Sequence, residues 1–463
     1  MMKILATIGP CSDDLNDIRF IGSKTRLFRL NGSHNTLDWH RETVKKIRTA
    51  VPNAFILMDI PGIKPRTANA NPLKVSKGQL VSFGKDTNFV DCMHVDLTKD
   101  LPSLRSEIST FTINDGQFVF DEAESKGSTI FGRSRQDFTL APRKGLNIPN
   151  SVYSELLQRQ IYIEFIDKVS DLDINGVGLS FVQTADLVSY VRKLKPSLVL
   201  VSKIENSEGF KNREEIIRNS DAVMIDRGDL AAEIGMLDLY HSVEKISQAT
   251  KAFGRPLIMA TENLETMITR LEPSKSEVMS LGHSSAIGSD CIMLSEETAT
   301  SANFKNTMTW LHRFLKEEPT GSAVLQRDQQ LRDYPPLWQV VNGLPAGSIA
   351  LFTRSGRALF ELMSASNVHN LTIVTNNRKV SEIIKLYKRK VNIIQTDLED
   401  TVPSEMVFKI LTLHKDKIFV QNDELIAIYV SKQFSGARVD NMTFIRRDVI
   451  DKFKSTGDVL SDN

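Results

Sequence analysis

Short runs of β-branched and other apolar residues alternate with amphipathic stretches along the first two thirds of the chain. Eight such runs occur: KILATIG, RLFRL, FILMDI, INGVGLSF, LVLVSKI, AVMID, PLIMAT and CIMLS. Segments with helical periodicity lie between most of these runs, as in residues 206–220 and 237–253. Apolar strands that alternate with helices are typical of a parallel sheet. Eight βα units in succession predict a (β/α)8 TIM barrel.

One interval breaks this rhythm, because more than a hundred residues separate the third run from the fourth. Residues 68–142 alternate with period two in LKVSKGQLVSFG, TFTINDGQFVF and GSTIFGRS, with glycines at the turns. This pattern predicts short antiparallel strands. We therefore expect a small β-barrel domain at 68–142, inserted into a catalytic barrel formed by 1–67 and 143–318. Carried on a βα loop, it would lie over the barrel's C-terminal face as a lid.

A second α/β unit follows the barrel. The helical pattern at 306–318 gives way to a polar connector with Gly and Pro at 319–347. Beyond it the runs SIALFT, NLTIVTN, VNIIQT and ELIAIYV alternate with helical patterns near 358–365, 380–388 and 403–414. Residues 348–463 are thus predicted to form an open C-terminal α/β domain.

Composition narrows the class of protein. The length of 463 residues fits about three domains. Lys and Arg number 58 against 57 Asp and Glu, so the basic excess of a dedicated nucleic-acid binder is missing. Three scattered cysteines without a CxxC pair favour a reducing compartment over a disulfide scaffold or a zinc site. No apolar run approaches the roughly 18 residues of a membrane span. We expect a cytoplasmic protein with neither a nucleic-acid nor a membrane partner.

Polar side chains follow the predicted strands at the edge where barrel enzymes build their active sites. They are Arg29, Asp59, Lys203, Glu205, Asp229, Thr261 and Glu297. Solvated loop residues are the alternative interpretation of each one taken alone. Arg29 belongs to a dense polar segment, RLNGSH, which also contains Asn31, Ser33 and His34. A turn with incidental hydrogen bonds is the alternative there.

Glu205 and Asp229 carry hard oxygen ligands at the ends of adjacent strands, as a magnesium site requires. A structural salt bridge to Lys203 or Arg227 is the alternative. A lysine beside a metal suits the stabilisation of charge on a transferring phosphoryl group or an enolate. Residues 228–230 precede a predicted helix, whose exposed N–H groups would bind a carboxylate or phosphate.

A second anion site is suggested by TRSGRA, which joins a strand to a helix in the C-terminal region. Thr353, Ser355, Gly356 and Arg357 would form a cradle for an effector's phosphate. Helix capping by Ser355 explains the same residues equally well.

Six segments resemble, in order, signature segments of the pyruvate kinase family. They are KILATIGP, FRLNGSH, VSKIENSEGF, SDAVMIDRGDLAAEIG, RPLIMATENLETM and SDCIMLSEETA. The resemblance covers essentially the whole chain. It implies magnesium-dependent transfer of a phosphoryl group from phosphoenolpyruvate to ADP, which gives pyruvate and ATP in the final step of glycolysis. It also implies the family's usual homotetramer.

The resemblance also implies roles for individual residues. Glu205 and Asp229 would bind magnesium, while Lys203 and Arg29 would neutralise the phosphoryl group. Backbone at Gly228 and Asp229, with Thr261, would hold the substrate carboxylate. A proton would reach the enolate through Thr261, Ser295 and Glu297. The nucleotide side would contain Asn31, His34, Arg66 and Lys144, with Asp115 contributed by the lid.

One departure from the family pattern concerns a monovalent cation. Potassium-dependent members build that site from the equivalents of Asn31, Ser33, Asp59 and a threonine, but Ile60 stands at the last position. Lys64 stands where those members carry glutamate. Its ammonium group can replace the charge of the missing ion, so we predict no requirement for potassium.

Other departures lie nearby. Glu262 and Asn263 replace Gln-Met after Thr261, and Asp226 replaces a small residue. Thr300 stands where a lysine is common, which predicts weaker nucleotide affinity or a changed nucleotide preference. Two alternatives to a pyruvate kinase therefore stay open. One is a related barrel enzyme that uses phosphoenolpyruvate with another acceptor, and the other is a non-catalytic regulatory relative.

Overall fold

The structure is a computed structural model of the chain. It describes residues 1–85, 92–114, 116–317, 348–364, 370–398, 402–419, 424–429 and 441–456. The predicted connector at 319–347 and Asp115 lie outside the described residues.

Eight parallel strands close into a barrel, which confirms the predicted fold class. They are β1 (Lys3–Thr7), β2 (Leu27–Asn31), β3 (Phe55–Asp59), β14 (Gly176–Leu179), β15 (Val199–Ile204), β16 (Ala222–Asp226), β17 (Leu257–Ala260) and β18 (Cys291–Leu294). Their order around the barrel is β1-β18-β17-β16-β15-β14-β3-β2, with Lys3 opposite Cys291 at the closure. All eight apolar runs identified in the sequence form these strands.

Helices surround the barrel between its strands. They are α1 (Leu15–Gly22), α2 (Leu37–Ala50), α3 (Glu155–Lys168), α4 (Ala185–Leu194), α5 (Ser207–Lys211), α6 (Arg213–Asn219), α7 (Arg227–Ile234), α8 (Met236–Ala252), α9 (Lys275–Ala286), α10 (Glu296–Ala299) and α11 (Phe304–Glu317). A 3₁₀ turn lies at Glu265–Ile268. The helix expected at 206–220 is two helices that meet at Asn212. Among the described helices, none is both long and apolar enough to cross a membrane.

Ten short strands lie between β3 and β14. They are β4 (Leu73–Val75), β5 (Leu80–Gly84), β6 (Met93–Val95), β7 (Ser103–Leu104), β8 (Thr110–Ile113), β9 (Phe118–Lys126), β10 (Thr129–Ser134), β11 (Phe138–Leu140), β12 (Leu146–Asn147) and β13 (Ser151–Val152). Six of them form one sheet in the order β12-β8-β9-β10-β5-β6. That sheet encloses its own core around Phe83, Phe111 and Phe120. One strand of this sheet, β12, lies beyond residue 142, where the inserted domain was predicted to end. The domain boundaries themselves stay predictions.

The C-terminal region contains a five-stranded sheet of order β21-β20-β19-β22-β23. Its strands are β19 (Ser348–Phe352), β20 (Asn370–Thr375), β21 (Val391–Gln395), β22 (Glu424–Tyr429) and β23 (Asn441–Arg446). Its helices are α12 (Arg357–Ser364), α13 (Arg378–Ile384), α14 (Ser404–Leu413), α15 (Lys415–Ile418) and α16 (Arg447–Thr456). The antiparallel edge strand β23 was not predicted from the sequence.

The C-terminal region packs against the end of the barrel at which its strands begin. Lys3 Nζ donates to the carbonyl oxygen of Lys385 at 2.7 Å, and Cys291 Sγ donates to that of Leu386 at 3.2 Å. Tyr387 donates its hydroxyl to the carbonyl oxygen of Gly254 at 2.6 Å. Since Lys3 and Cys291 open their strands, this end is covered, and the opposite end carries the site described next.

Candidate active site

Arg29 and Asp59 form a buried ion pair between the adjacent strands β2 and β3. Both residues lie within their strands, Arg29 in the middle of β2 and Asp59 at the end of β3, and not after them as predicted. The guanidinium Nε and Nη2 atoms donate to Oδ2 of Asp59 at 3.0 and 2.8 Å, and Nη1 donates to the Thr7 hydroxyl at 3.1 Å. Burial alone would raise the pKa of Asp59, but Arg29 and then Lys203 hold it below its ordinary value. The Asp59 carboxylate is thus charged, and the hydrogen bonds fix both side chains in place.

Lys203, near the end of β15, is surrounded by carboxylates. Its Nζ atom lies 2.9 Å from Glu205 Oε2, 3.3 Å from Asp226 Oδ2 and 3.7 Å from Asp59 Oδ2. Burial would lower the pKa of Lys203, but these three negative charges outweigh it and raise the pKa above its ordinary value. A buried ammonium group that stays charged is suited to holding an anion.

Glu205 is fully buried directly after β15. Its Oε1 atom accepts the backbone N–H of Phe181 at 2.7 Å, which orients the carboxyl group. Burial raises the pKa of Glu205 to about 8, although Lys203 opposes the change. The negative charges of Asp226 and Asp229 add to the increase. A cation bound beside this group would favour its ionised form.

Asp229 is bound by Lys64, whose Nζ atom lies 2.5 Å from Oδ1. Lys64 is only 5% exposed. Burial would raise the pKa of Asp229, but Lys64 lowers it below its ordinary value. Asn147, from β12 of the inserted sheet, approaches the same oxygen at 3.4 Å. Lys64, expected to replace a monovalent cation, thus contacts a predicted magnesium ligand.

Thr261 follows β17 with its backbone in the left-handed region, at φ 61°. This conformation turns its hydroxyl towards the first turn of α7, where it accepts the backbone N–H of Gly228 at 3.1 Å. The same hydroxyl lies 3.1 Å from Asp226 Oδ1 and 2.7 Å from the carbonyl oxygen of Ala260, either of which can accept its hydrogen. Gly228 and Asp229 lie within α7, and not before it as predicted, because the helix begins at Arg227.

The carboxylates of this site fit a divalent cation. Glu205, Asp226 and Asp229 each offer one oxygen, and these three oxygens lie within 4.8 Å of one another. Carboxylate oxygens are the ligands that magnesium prefers. Asp226 was not predicted as a member of this group.

Two of the three residues expected to deliver a proton, Ser295 and Glu297, lie at the start of α10. The backbone N–H of Ser295 donates to Glu297 Oε2 at 2.6 Å, and that of Leu264 donates to Oε1 at 3.4 Å. Burial raises the pKa of Glu297, although these backbone N–H groups oppose the change. Glu297 thus lies between the segment that follows Thr261 and the end of β18.

The predicted nucleotide side is cationic. Burial lowers the pKa of His34, and the nearby charges of Arg66 and Arg29 lower it further. Arg66 also donates to the carbonyl oxygen of Arg143 at 3.1 Å, and the backbone of Lys144 pairs with Thr67. Asn31 accepts the N–H of Ser33 at 3.0 Å, so its side chain closes the turn after β2.

The segment expected to bind an effector's phosphate uses its hydroxyl groups within its own turn. Thr353 accepts the N–H of Gly356 at 3.1 Å, and Ser355 accepts the N–H of Arg357 at 3.3 Å. Gly356 has φ 76°, which a residue with a side chain rarely adopts. These contacts are those of the capping alternative, and the phosphate cradle stays a prediction.

Sequence reasoning missed two buried polar residues of the site. Glu233 in α7 is 1% exposed and Asn147 is fully buried. Burial raises the pKa of Glu233 to about 8, with Lys64 opposing the change. Glu233 lies four residues after Asp229, hence on the same face of α7, and this spacing is the one sequence signal that could have identified it. No comparable signal marked Asn147.

Comparison with known proteins agrees with this architecture. The family model "Pyruvate kinase, barrel domain" matches residues 1–307. A cytosolic pyruvate kinase isozyme of Glycine max is 30% identical over 317 residues, 65% of this chain and 62% of its own length. The pyruvate kinase of Hypocrea jecorina is 28% identical and is matched over 83% of this chain and 77% of its length. The chain thus spans less than two thirds of the soybean relative.

A solved structure shares the fold. The crystal structure of a pyruvate kinase from Cryptosporidium parvum superposes with a TM-score of 0.74, covers 96% of each chain and is 22% identical in sequence. Since the family's barrel model matches well over half of the residues, the chain belongs to the pyruvate kinase family.

Proposed function

We propose that this protein is a pyruvate kinase, which transfers a phosphoryl group from phosphoenolpyruvate to ADP and yields pyruvate and ATP. The observation that carries the proposal is the position of Lys203. Its buried ammonium group lies 2.9 Å from Glu205 and 3.7 Å from Asp59, which in turn holds Arg29. Two fixed cations beside a carboxylate cluster suit a transferring phosphoryl group, whose charge must be neutralised throughout the reaction.

In this proposal Mg²⁺ is the cofactor and is held by Glu205 and Asp229. When bound, the ion neutralises phosphate charge and orients the substrate. Arg29 and Lys203 bind the phosphoryl oxygens. Gly228, Asp229 and Thr261 bind the substrate's carboxylate through N–H and O–H groups.

The remaining roles concern the proton and the nucleotide. Thr261, Ser295 and Glu297 supply a proton to the enolate, and Glu297 is suited to this because burial favours its protonated form. Asn31, His34, Arg66 and Lys144 bind ADP. The inserted domain closes over the site: Asn147 of its six-stranded sheet reaches Asp229, and Arg105, which follows β7, contacts Glu208 on the barrel at 2.6 Å.

We further propose a cytoplasmic homotetramer that needs no potassium. The cytosolic isozyme of Glycine max supports the location by its name. The charge of Lys64 beside Asp229 supports independence from a monovalent cation. Turnover measured with potassium, and then with a bulky inert cation at equal ionic strength, tests this point. A large loss of rate without potassium would refute it.

Turnover of phosphoenolpyruvate with ADP and Mg²⁺, coupled to lactate dehydrogenase, tests the activity itself. Lys203→Met should lower the maximal rate by about 100-fold or more, because a fixed charge at the transferring group is lost. Lys45→Met is the matched control, since Lys45 is an exposed lysine of α2 paired with Glu42. Binding of phosphoenolpyruvate without turnover by the wild type would favour another acceptor or a regulatory relative.

A further inference from the structure

Asp226 places a carboxylate where the substrate's own carboxylate is expected. It is the last residue of β16 and is 7% exposed. Its Oδ1 atom lies 3.1 Å from the Thr261 hydroxyl, and its Oδ2 atom lies 3.3 Å from Lys203 Nζ. One side chain thus contacts two of the groups to which the proposed function assigns substrate binding.

Asp226 also lies beside the first turn of α7, where the proposed function places the substrate's carboxylate. A Cβ atom built on Gly228 would be in ordinary contact with Thr261 Oγ1 at 3.8 Å and Asp226 Oδ1 at 3.9 Å. The Gly228 N–H donates to Thr261, and the Thr261 hydroxyl faces Asp226. Asp226 is therefore positioned to accept the hydrogen that a bound carboxylate would use.

We propose that Asp226 is a specificity-determining residue that competes with the substrate's carboxylate for Thr261 and weakens the binding of carboxylate-bearing enol phosphates. This inference rests on the proposed function. Two carboxylates at a poorly solvated site repel each other, and Thr261 has a single hydroxyl hydrogen to offer. The negative charge of Asp226 also partly offsets the positive charge of Lys203. That second effect weakens the binding of a phosphate group on any ligand, whether or not the ligand has a carboxylate.

Two substitutions and two ligands separate these effects. Asp226→Asn keeps the shape and the acceptor oxygen but removes the charge, while Asp226→Ala removes both. The ligands are phosphoenolpyruvate and methyl phosphate, which lacks a carboxylate, and each is titrated by calorimetry at fixed Mg²⁺. Asp100→Asn is the control, since Asp100 is an exposed aspartate paired with Lys85.

We expect both Asp226 variants to bind phosphoenolpyruvate about tenfold more tightly or better, because a like charge a few ångströms away is removed. Methyl phosphate should gain much less. In turnover assays the KM for phosphoenolpyruvate should fall while the KM for ADP stays constant. The control variant should match the wild type for both ligands.

Each contrary outcome has a defined meaning. Equal gains for the two ligands would show that Asp226 acts on the phosphate, through Lys203 or through the bound cation, and would overturn the inference. Turnover by the wild type with no gain in the variants would overturn the inference and leave the proposed function intact. The inference would be supported if the wild type bound no phosphoenolpyruvate while the Asp226→Asn variant did. If neither protein binds phosphoenolpyruvate, both proposals fail.

Discussion

In the wild type, the buried Glu233 should make the free energy of unfolding fall as pH rises. Replacing Glu233 with Gln should remove this contribution. Glu233 is 1% exposed, and the Tyr153 hydroxyl approaches its Oε1 atom at 3.4 Å. Within the described residues, its Oε2 atom has no hydrogen-bond partner. Because burial disfavours the ionised form, the folded protein keeps this carboxyl group protonated up to a pH of about 8, the raised pKa of Glu233. Glutamine has nearly the same shape and carries no charge at any pH.

The size of the effect follows from the difference in pKa between the folded and unfolded chains. Between an ordinary pKa of 4.5 and about 8, the native state holds a proton that the unfolded chain has released. The free energy of unfolding therefore falls as pH rises through this window, by about 1.4 kcal/mol for each pH unit. Glu233→Gln removes this slope. The variant should gain about 3 kcal/mol on the wild type between about pH 5.5 and about pH 7.5.

Urea denaturation in the presence of a chelator, at both pH values, measures this gain. Glu277→Gln is the matched control, because Glu277, in the capping box of α9, has a lowered pKa where Glu233 has a raised one. Burial would raise the pKa of Glu277, but hydrogen bonds from Thr266 and Ser274 outweigh it and lower the pKa. Its contribution to stability is thus complete above the unfolded pKa, and the control should be less stable than the wild type by a similar amount at both pH values. A Glu233→Gln variant with an equally constant difference would refute the reasoning.

Two further predictions concern the same end of the barrel. Lys64→Met should strengthen Mn²⁺ binding by about tenfold or more, because it removes a cation held 2.5 Å from Asp229; calorimetry without substrate measures this, and unchanged affinity would show that Lys64 does not compete with the metal. Gly178→Ala should lower activity at least about tenfold with the fold retained, because the new methyl group would lie 2.2 Å from Asp59 Oδ1. Gly282→Ala is its control, since apart from its chain neighbours and its own helix backbone no atom lies within 4 Å of the position of its Cβ, and equal activity of the two variants would contradict the prediction.

The barrel could be predicted from the sequence because its strands are buried on both faces. Such strands are short continuous apolar runs, and the helices between them have a different period. The placement of Lys203 near the end of one strand, Glu205 just after it and Asp229 after the next strand followed the predicted runs, since parallel strands end at the same edge. The strand β23 was not predicted because it lies at a sheet edge and is not a continuous apolar run buried on both faces. In it Phe444 is 64% exposed while Ile445 is buried.

Contacts between loops could not be predicted, because they depend on the orientation of side chains that are far apart in the chain. Lys64 and Asp229 are 165 residues apart. The charge of Lys64 suggested a substitute for a metal ion, but its partner depends on how the segment after β3 crosses the barrel mouth. Asp226 was noticed only as an unusual residue. Its contact with Thr261 depends on the positive φ of the turn after β17. The residues of that turn, Thr261 and Glu262, are not glycines, so the sequence did not indicate a positive φ there.

The closure of the barrel through β1 and β18 has a consequence for the synthesis of the chain. Lys3 is made before its partner Cys291, which follows 288 residues later. At ordinary rates of translation this interval lasts roughly 15 to 60 seconds. During that time one edge of β1 has no native neighbour, and unpaired strand edges favour association with other chains. We therefore expect the nascent protein to depend on chaperones more strongly than the finished one.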